Sequence, residues 1–490
     1  MTIQELDADV FDPERWGLPI EAVTSLADRL GQVWTRFRDC FKTKTRDPRV
    51  YAWVYLRGLL TMDTNRTFAN IARRVIDPGD DGQNLQQFMS DSPWSAQAVV
   101  RQVQTELALT PALGTGGVLI LDESAEEKAG AKSAGVARQY NGRLGKIEMS
   151  QVGTFLAFAK GSVWTWVDGE LFVPEHWFTP EMAQERQRVG IPATRQFATK
   201  IELGWRMIER VSANGLPFEI VLCDDLYGRS GWLRQQIDAA GLLYLADVPA
   251  DTQVYLTKPT VGVPAVQRGR RGRPPSCPRV LNAVPAVEVR QVAHHAATQF
   301  QSVRVRDTER GMLDEPFAAR RVWIVRDGVV TEEWLIIRHE ERVRYSYALS
   351  NAPPTTPFAR LVTWKCLRFG IECANQEAKS DIGWDDLQAQ KYGAWEHHLA
   401  LTILATWFIA QTRLDWAAQY ARDPVLAHQL EVASLPALSV ANVRELLQAV
   451  MPLQQLSPEQ AIQVVVQHLV NRSRSTASRL RAQRRARGPT

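Results

Sequence analysis

The chain has 490 residues, of which 45% are hydrophobic and 23% are charged, and its formal net charge is +4. This length allows two to four domains with a large core, and the composition is that of an ordinary globular protein. The five cysteines form no Cys-x-x-Cys pair, and no apolar run reaches membrane-spanning length, which argues against a disulfide framework, a zinc site and a membrane protein. We therefore expect a protein of the cytoplasm.

The first 110 residues are predicted to be helical. Apolar residues recur every three or four positions in two segments before residue 61, and a short amphipathic helix is predicted over 67–76. The breaker Asp77-Pro78-Gly79 separates it from a further helix that begins at Asn84. Helix pairs joined by a short turn occur in DNA-binding domains and in plain helical bundles, and this pattern fits both.

Two strand patterns each end in an acidic residue. The apolar run 118–121 leads into Asp122, and the mostly apolar run 218–223 leads into Asp224. Such runs are typical of buried strands, and an open α/β sheet presents its functional groups at the carboxyl ends of its strands. We predict that the two strands are neighbours and bring Asp122 and Asp224 together.

Each aspartate has an acidic neighbour in the sequence, Glu123 or Asp225. Successive side chains of a strand point to opposite faces, so only one acid of each pair is expected to join the cluster. Helix and strand patterns alternate over residues 111–249 and return over 345–420, so we predict an α/β core made of these two segments.

Residues 250–344 are predicted to form a β-rich insertion in this core, because proline and glycine become frequent and three strand-like segments follow. Within it, Arg271-Gly-Arg-Pro274 resembles a short hook for the minor groove, since a narrow A·T-rich groove attracts arginine. Such tetrapeptides also occur in linkers rich in arginine and proline. We expect Arg271 and Arg273 to contact DNA.

A helix predicted over 358–379 supplies a candidate for a third acid. At about 100° per residue, Arg368, Glu372 and Lys379 share one polar face beside a buried apolar stripe. Glu377 falls on the opposite flank, so Glu372 is the predicted partner of the two aspartates. The alternative is an ordinary ion pair between Arg368 and Glu372, which stabilises a helix only slightly.

The C-terminal part is predicted to contain further helices over 421–470 and a disordered tail over 471–490. The tail contains seven arginines and no acidic residue, so it repels itself and attracts phosphates. A solubilising role is the alternative, but a second basic cluster in the insertion favours contact with nucleic acid.

In combination these motifs resemble a large group of bacterial insertion-sequence transposases of the DDE superfamily. The spacing Arg368-x3-Glu372-x6-Lys379 resembles the group's Tyr-x2-Arg-x3-Glu-x6-Lys signature, with Lys365 in place of the tyrosine. Three further segments resemble conserved regions of the group. Residues 122–124 and 132–156 resemble the region of the first aspartate, Cys223-Asp-Asp-Leu-Tyr-Gly228 resembles the turn of the second, and Ser350-Asn-Ala-Pro-Pro354 resembles the segment before the helix of the third acid. The resemblance covers about residues 115–415, and more loosely the helical N-terminus.

The resemblance implies an α/β fold with a ribonuclease-H-like core, preceded by a helical DNA-binding domain over 1–110 and followed by helices. It implies that Asp122, Asp224 and Glu372 form a catalytic triad that holds two Mg²⁺ ions, for which Mn²⁺ can substitute. The implied function is strand cleavage and strand transfer at insertion-sequence ends. The implied partners are double-stranded DNA and a second copy of the chain, in the bacterial cytoplasm at the nucleoid.

The resemblance also implies DNA contacts around the triad. Arg368 and Lys379 are expected to clamp phosphates, and Lys365 is expected to contact phosphate where the group has tyrosine. Basic residues after Asp122 are expected to line the DNA path, or else to form a solvated loop face, namely Lys132, Arg138, Arg143 and Lys146. Two alternative functions stay open: a DNA-binding protein that has lost catalysis, and a ribonuclease-H-like nuclease that only hydrolyses.

Overall fold

The computed structural model describes residues 8–44, 46–142, 144–265, 276–308, 311–341, 344–432 and 434–487. The chain forms two compact units. One consists of Val100–Glu377, and the other of the described residues up to Val99 and from Ala378 onward. Within these ranges, no helix combines the length and the apolar content that crossing a membrane requires.

The α-helices of the described residues are numbered in chain order. The helices before the first strand are α1 (Ile20–Thr24), α2 (Leu26–Phe37), α3 (Arg49–Thr61), α4 (Phe68–Val75), α5 (Gln83–Asp91) and α6 (Ala96–Leu109). Those between strands are α7 (Ala183–Val189), α8 (Lys200–Ala213), α9 (Asp225–Gly228), α10 (Gly231–Ala239) and α11 (Val289–Ala293). The remaining helices are α12 (Phe358–Leu367), α13 (Phe369–Gln376), α14 (Tyr392–Gln419), α15 (Val425–Gln429), α16 (Val440–Val450) and α17 (Pro458–Arg487).

The strands are numbered in the same way. The first six are β1 (Val118–Glu127), β2 (Ala137–Asn141), β3 (Lys146–Lys160), β4 (Val163–Phe172), β5 (Ile220–Cys223) and β6 (Tyr244–Val248). Four short strands follow, β7 (Gln253–Val254), β8 (Val261–Gly262), β9 (Arg279–Val280) and β10 (Val287–Glu288). The last four are β11 (Gln301–Thr308), β12 (Gly311–Arg326), β13 (Val329–Glu340) and β14 (Arg344–Ser350).

A mixed ten-stranded sheet forms the centre of the unit Val100–Glu377, in the order β11-β12-β13-β14-β6-β5-β1-β3-β2, with β4 also paired to β3. β1, β3 and β4 are antiparallel neighbours, whereas β5 and β6 run parallel to β1. Helices cover both faces of this sheet. The arrangement confirms the predicted fold class, an α/β protein with a ribonuclease-H-like core.

The two helices that cover β1 reach it through glycines. A side chain at Gly204 of α8 would meet Leu121, and one at Gly370 of α13 would meet Ile120. Because Ile120 and Leu121 are successive strand residues, they point to opposite faces. The sheet at β1 is therefore enclosed by α8 on one face and by α13 on the other, which explains why residues 118–121 are uniformly apolar.

The strand-rich insertion over 250–344 joins the central sheet. The three predicted strand segments lie in β11, β12 and β13, and β14 joins them to β6 by antiparallel pairing. The free edge of β6 thus receives the inserted strands, because an unpaired edge leaves backbone N–H and C=O groups without partners. The insertion extends the central sheet and lies in the same compact unit.

Helix α14 belongs to the helical unit, whereas we predicted that residues 345–420 return to the core. The division of the chain falls between Glu377 and Ala378. α14 is buried on all sides by α3, α5 and α16. Its polar side chains are paired within that unit: Tyr55 Oη lies 2.9 Å from His398 Nδ1, and the Trp94 ring stacks on His397 at 3.8 Å. A helix that is apolar all round needs such an enclosure.

The arginine-rich C-terminus is helical as far as Arg487, where we predicted a disordered tail. Arginine, alanine, glutamine and leucine are good helix formers, and this composition outweighs the repulsion between like charges. Arg472, Arg474 and Arg481 are exposed on this helix.

The close packing of α9 on β6 gives a testable prediction. A Cβ at Gly228 would overlap the backbone carbonyl of Asp247, and backbone atoms of a central strand cannot move aside. We expect Gly228→Ala to displace α9 and to lower the thermal unfolding temperature markedly. The matched control is Gly31→Ala in α2, where nothing lies within 4 Å of the added Cβ, so stability should stay equal or rise slightly. Equal unfolding temperatures for both variants would contradict this packing.

Candidate active site

Asp122 and Asp224 lie side by side, each directly after the paired residues of two adjacent parallel strands. β1 and β5 pair residue by residue up to Leu121 and Cys223, so the next residue of each chain segment is one of the two aspartates. Asp224 Oδ1 accepts hydrogen bonds from the backbone N–H groups of Leu226 and Tyr227 at 3.1 and 3.3 Å, and so caps α9. This cap is the reason that β5 ends there.

The acidic neighbours of the two aspartates point elsewhere. Asp122 lies on the same face as Ile120, toward α13, whereas Glu123 lies on the face of α8 and pairs with Lys200 Nζ at 2.7 Å. Asp225 pairs with Arg229 at 3.0 Å on the surface, with 55% of its side chain exposed. Alternation along β1 thus directs Glu123 away from Asp122, whereas Asp225 is turned to the surface by helix α9, which begins at that residue.

Both aspartates are harder to ionise than free aspartate. Burial, followed by the charge of Asp224, raises the pKa of Asp122 from 3.8 to about 7. Burial also raises the pKa of Asp224 to about 6, although the hydrogen bond from Tyr227 N–H opposes this. Arg368 lowers the pKa of both groups. A pair of partly buried carboxylates with little compensating charge is an environment that favours a bound cation.

Arg368 lies at the junction of α12 and α13. It is the basic residue whose charge acts on both Asp122 and Asp224. Its Nε lies 3.2 Å from Asp247 Oδ2, and its Nη2 lies 3.3 Å from Glu372 Oε1. Burial lowers the pKa of Arg368, but four carboxylates together raise it above its usual range: Asp247, Glu372, Asp122 and Asp224. The guanidinium therefore links the aspartate pair to the helix that carries Glu372.

Glu372 is half exposed, with 51% of its side chain accessible, and it pairs with Arg368. The i, i+4 ion pair that the sequence left as an alternative is thus present. Among the described residues, no group of three or more His, Cys, Asp or Glu side chains is close enough to hold a metal ion. The aspartate pair has the hard oxygen donors and the excess negative charge that suit Mg²⁺, whereas Glu372 is directed toward the arginine.

Lys365 is buried, with 3% of its side chain exposed, and its Nζ lies 2.5 Å from Asp247 Oδ1. This ion pair leaves Lys365 directed into the protein, which does not favour the predicted phosphate contact.

Asp247 was missed by the sequence analysis, although a signal was present. β6 is the third parallel strand, and Cys223 pairs with Ala246, so Asp247 is level with Asp224 at the same edge of the sheet. Asp122, Asp224 and Asp247 thus form a row across three parallel strands, one residue beyond the aligned positions Leu121, Cys223 and Ala246. The acidic residue near the end of the mostly apolar run 242–248 was the pattern that would have identified Asp247.

The other predicted DNA-contacting residues lie on the β2–β3 hairpin, in the helical unit or outside the described ranges. Arg138 and Lys146 lie on the β2–β3 hairpin, and Lys146 pairs with Glu148 at 3.1 Å. Met149, opposite Arg138, is six residues along β3 from the partner of Asp122, which is about 20 Å. Lys379 lies in the π-helical turn Glu377–Asp381 that follows α13, within the helical unit. Arg143, Arg271 and Arg273 lie outside the described residues.

A polar groove of about 470 Å³ opens beside Arg368 and Glu372. One wall is formed by α12 and α13, and the other by side chains of the inserted strands and their connection, namely Glu315, Arg338, Glu340, Glu341 and Arg344. Asp247 and Lys365 also line it. The groove thus gives solvent access to the arginine that connects the acidic residues.

The raised pKa of Asp122 predicts a pH-dependent stability. The folded state binds the proton of Asp122 more tightly than the unfolded chain does, so the free energy of unfolding falls as pH rises from about 4 to about 7. Asp122→Asn cannot ionise and keeps the shape of the side chain. Without divalent ions at pH 8, this variant should have a free energy of unfolding up to about 4 kcal/mol above that of the wild type, and so a higher unfolding temperature. At pH 4 the gain in stability should be small.

The control for this measurement is Asp225→Asn, which alters an exposed acid and should change stability little at either pH. Thermal unfolding in a chelating buffer at pH 4 and pH 8 measures both variants. A loss of stability at pH 8 in Asp122→Asn would show that the buried carboxylate is not repelled in the folded protein.

Comparison with known proteins places the chain in a family. Over 193 residues it is 31% identical to a protein named "Probable transposase for insertion sequence element IS701" from Microchaete diplosiphon, and this match covers 39% of the chain and 47% of the relative. The chain therefore matches about half the length of that relative. A sequence model described as DDE superfamily endonuclease matches residues 36–312, more than half of the chain and a range that contains Asp122 and Asp224. The chain belongs to the DDE superfamily of endonucleases.

Proposed function

We propose that the protein is a DNA transposase that binds the ends of an insertion sequence and carries out Mg²⁺-dependent strand cleavage and strand transfer. The observation that carries this proposal is the pair Asp122 and Asp224, which directly follow the paired residues of the parallel strands β1 and β5, are partly buried and difficult to ionise, and lie near Arg368. The family and the name of the relative support the same reaction class.

In this proposal Asp122, Asp224 and Glu372 hold the divalent ions. Such ions, when bound, supply activation of water or of a 3′-hydroxyl and stabilise the leaving oxygen of an in-line displacement. Asp122 and Asp224 provide two oxygen donors from rigid strand ends. Glu372 provides the third from a half-exposed position on α13, where its contact with Arg368 is 3.3 Å long and open to the groove. Mn²⁺ is expected to substitute for Mg²⁺.

The DNA-contacting roles follow from charge and position. Arg368 borders the groove and has Nη atoms that can bind a phosphate in place of Glu372. Arg138 and Lys146 are exposed on the β2–β3 hairpin and would contact the DNA away from the cleaved bond. We further propose that Lys379 contributes to phosphate binding, and that two copies of the chain pair the two ends of the element. The proposed location is the bacterial cytoplasm, at the nucleoid.

The decisive experiment is an in vitro reaction with purified protein, Mg²⁺ and DNA that contains the element's terminal sequences. We expect both cleavage and joining to a target. Asp122→Ala, Asp224→Ala and Glu372→Ala should each abolish both steps while binding of the DNA, measured by gel shift, stays close to that of the wild type. The matched control is Glu127→Ala, an exposed acid at the end of the same strand β1, which should react normally.

The three candidate functions give different results in this reaction. A nuclease that only hydrolyses would cut the DNA without joining it. A DNA-binding protein that has lost catalysis would bind the DNA and leave it intact. Full activity in Glu372→Ala would remove the third acid from the proposal, whereas full activity in Asp122→Ala would end the proposal as a whole.

The proposed hook at Arg271 and Arg273 has its own test. Replacing both arginines by alanine should weaken binding of A·T-rich DNA and reduce the dependence of the affinity on salt, because contacts to the minor groove and phosphates are lost. The matched control is Arg290→Ala, an exposed arginine of the same inserted region that pairs with Glu288. Fluorescence anisotropy at several salt concentrations measures both variants, and equal affinities would argue for a plain linker.

A further inference from the structure

Asp247 is shared by two cations, Lys365 of α12 and Arg368 at the junction with α13, the helix that carries the proposed third acid. Its Oδ1 lies 2.5 Å from Lys365 Nζ, and its Oδ2 lies 3.2 Å from Arg368 Nε. The carboxylate is mostly buried, with 15% of the side chain exposed, and Lys365 is almost completely enclosed. Asp247 is also fixed by its backbone, since β6 is paired with β5 on one side and with β14 on the other.

The two contacts of Arg368 differ in strength and in rigidity. The Nε contact is to a buried carboxylate on a central strand, whereas the Nη2 contact is to the half-exposed Glu372. Ion pairs in exposed positions contribute little and exchange readily with other partners. The guanidinium is therefore anchored at Nε, while its Nη2 contacts Glu372, and both residues line the groove, where another anion can replace Glu372.

Lys365 has a separate effect on this anchor. A buried ammonium requires a partner, and so does a mostly buried carboxylate, and Lys365 and Asp247 are such partners for each other. With Lys365 neutralising one oxygen, the other oxygen of Asp247 stays available for Arg368. Lys365 lies at the wall of the groove, but its Nζ is held by Asp247, so it acts on Arg368 through that carboxylate.

We propose that Asp247 is a positioning residue: supported by Lys365, it holds the Arg368 guanidinium so that the Nη groups pass from Glu372 to a phosphate of the bound DNA strand. This inference rests on the proposed function in one respect, that the strand lies in the groove beside Arg368. It gives Lys365 an indirect role in place of direct contact with phosphate.

The first test separates positioning from fold stability. Asp247→Glu keeps the charge and a partner for Lys365 but moves the carboxylate by one methylene. We expect its unfolding temperature to stay close to that of the wild type, while single-turnover cleavage slows on the order of a hundred-fold, because a displacement of about 1 Å has that effect on a positioned group. Cleavage at the wild-type rate by a folded Asp247→Glu protein would overturn the proposal.

A double variant provides the second test. Lys365→Met with Asp247→Leu replaces the ion pair by apolar side chains of similar size, a change that folded proteins often tolerate. If Asp247 acts through Arg368, adding Arg368→Ala to this double variant should slow cleavage little further. If the rate reductions caused by the double variant and by Arg368→Ala instead multiply in full, the two sites act independently, which would contradict the proposal. Should the double variant fail to fold, Asp247→Glu combined with Arg368→Ala gives the same comparison.

The third test does not depend on cleavage. Single phosphates of the DNA strand are replaced in turn by neutral methylphosphonates, and the affinity of the protein for each DNA is measured in a chelating buffer. The affinity of the wild type should fall when the replaced phosphate is the one that Arg368 contacts. The Asp247→Glu variant should lose this sensitivity at that position and keep it at others. An unchanged pattern in the variant would refute the positioning role. Absence of cleavage by the wild type with an intact methylphosphonate pattern would instead count against the proposed function alone.

Discussion

The site depends on one electrostatic constraint: two carboxylates, Asp122 and Asp224, are held next to each other where the protein excludes much of the water. Each loses solvation, and Asp122 is in addition repelled by Asp224, so both resist ionisation. The pairing of β1 with β5 and the helix cap formed by Asp224 prevent the two side chains from separating. Holding the two carboxylates together thus lowers the stability of the folded protein, and binding of cations would offset this loss. Such arrangements are common at functional sites.

Close backbone approach decides how near the other groups come to this pair. α13 can approach β1 because Gly370 has no side chain, and α9 can approach β6 because Gly228 has none. The first contact brings Arg368 and Glu372 toward the Asp122 face of the sheet, and the second sets the position of the Asp224 turn relative to Asp247. Glycine is required at both places for space rather than for an unusual backbone angle.

Arg368 balances the acidic cluster and at the same time competes with the cations proposed to bind there. Its positive charge lowers the pKa of both aspartates, and its pairing with Glu372 holds the proposed third ligand away from them. An arginine anchored by Asp247 can serve both as a counter-charge in the free protein and as a phosphate contact when DNA is bound. A positive group with two alternative anionic partners suits a site where a negatively charged substrate arrives.

The sequence by itself determined the α/β class, the two neighbouring strands and the meeting of Asp122 with Asp224, because short apolar runs that end in an acid constrain both burial and direction. It also determined that Glu123 points away from Asp122, since alternation along a strand is local, whereas the direction of Asp225 follows from helix α9, which begins there. Only the tertiary structure decided that β11 to β13 extend the central sheet, that α14 lies in the helical unit, and that Lys365 is buried against Asp247. These features depend on which edge or face a distant segment covers, and residues far apart in the chain leave no local pattern that records their contact.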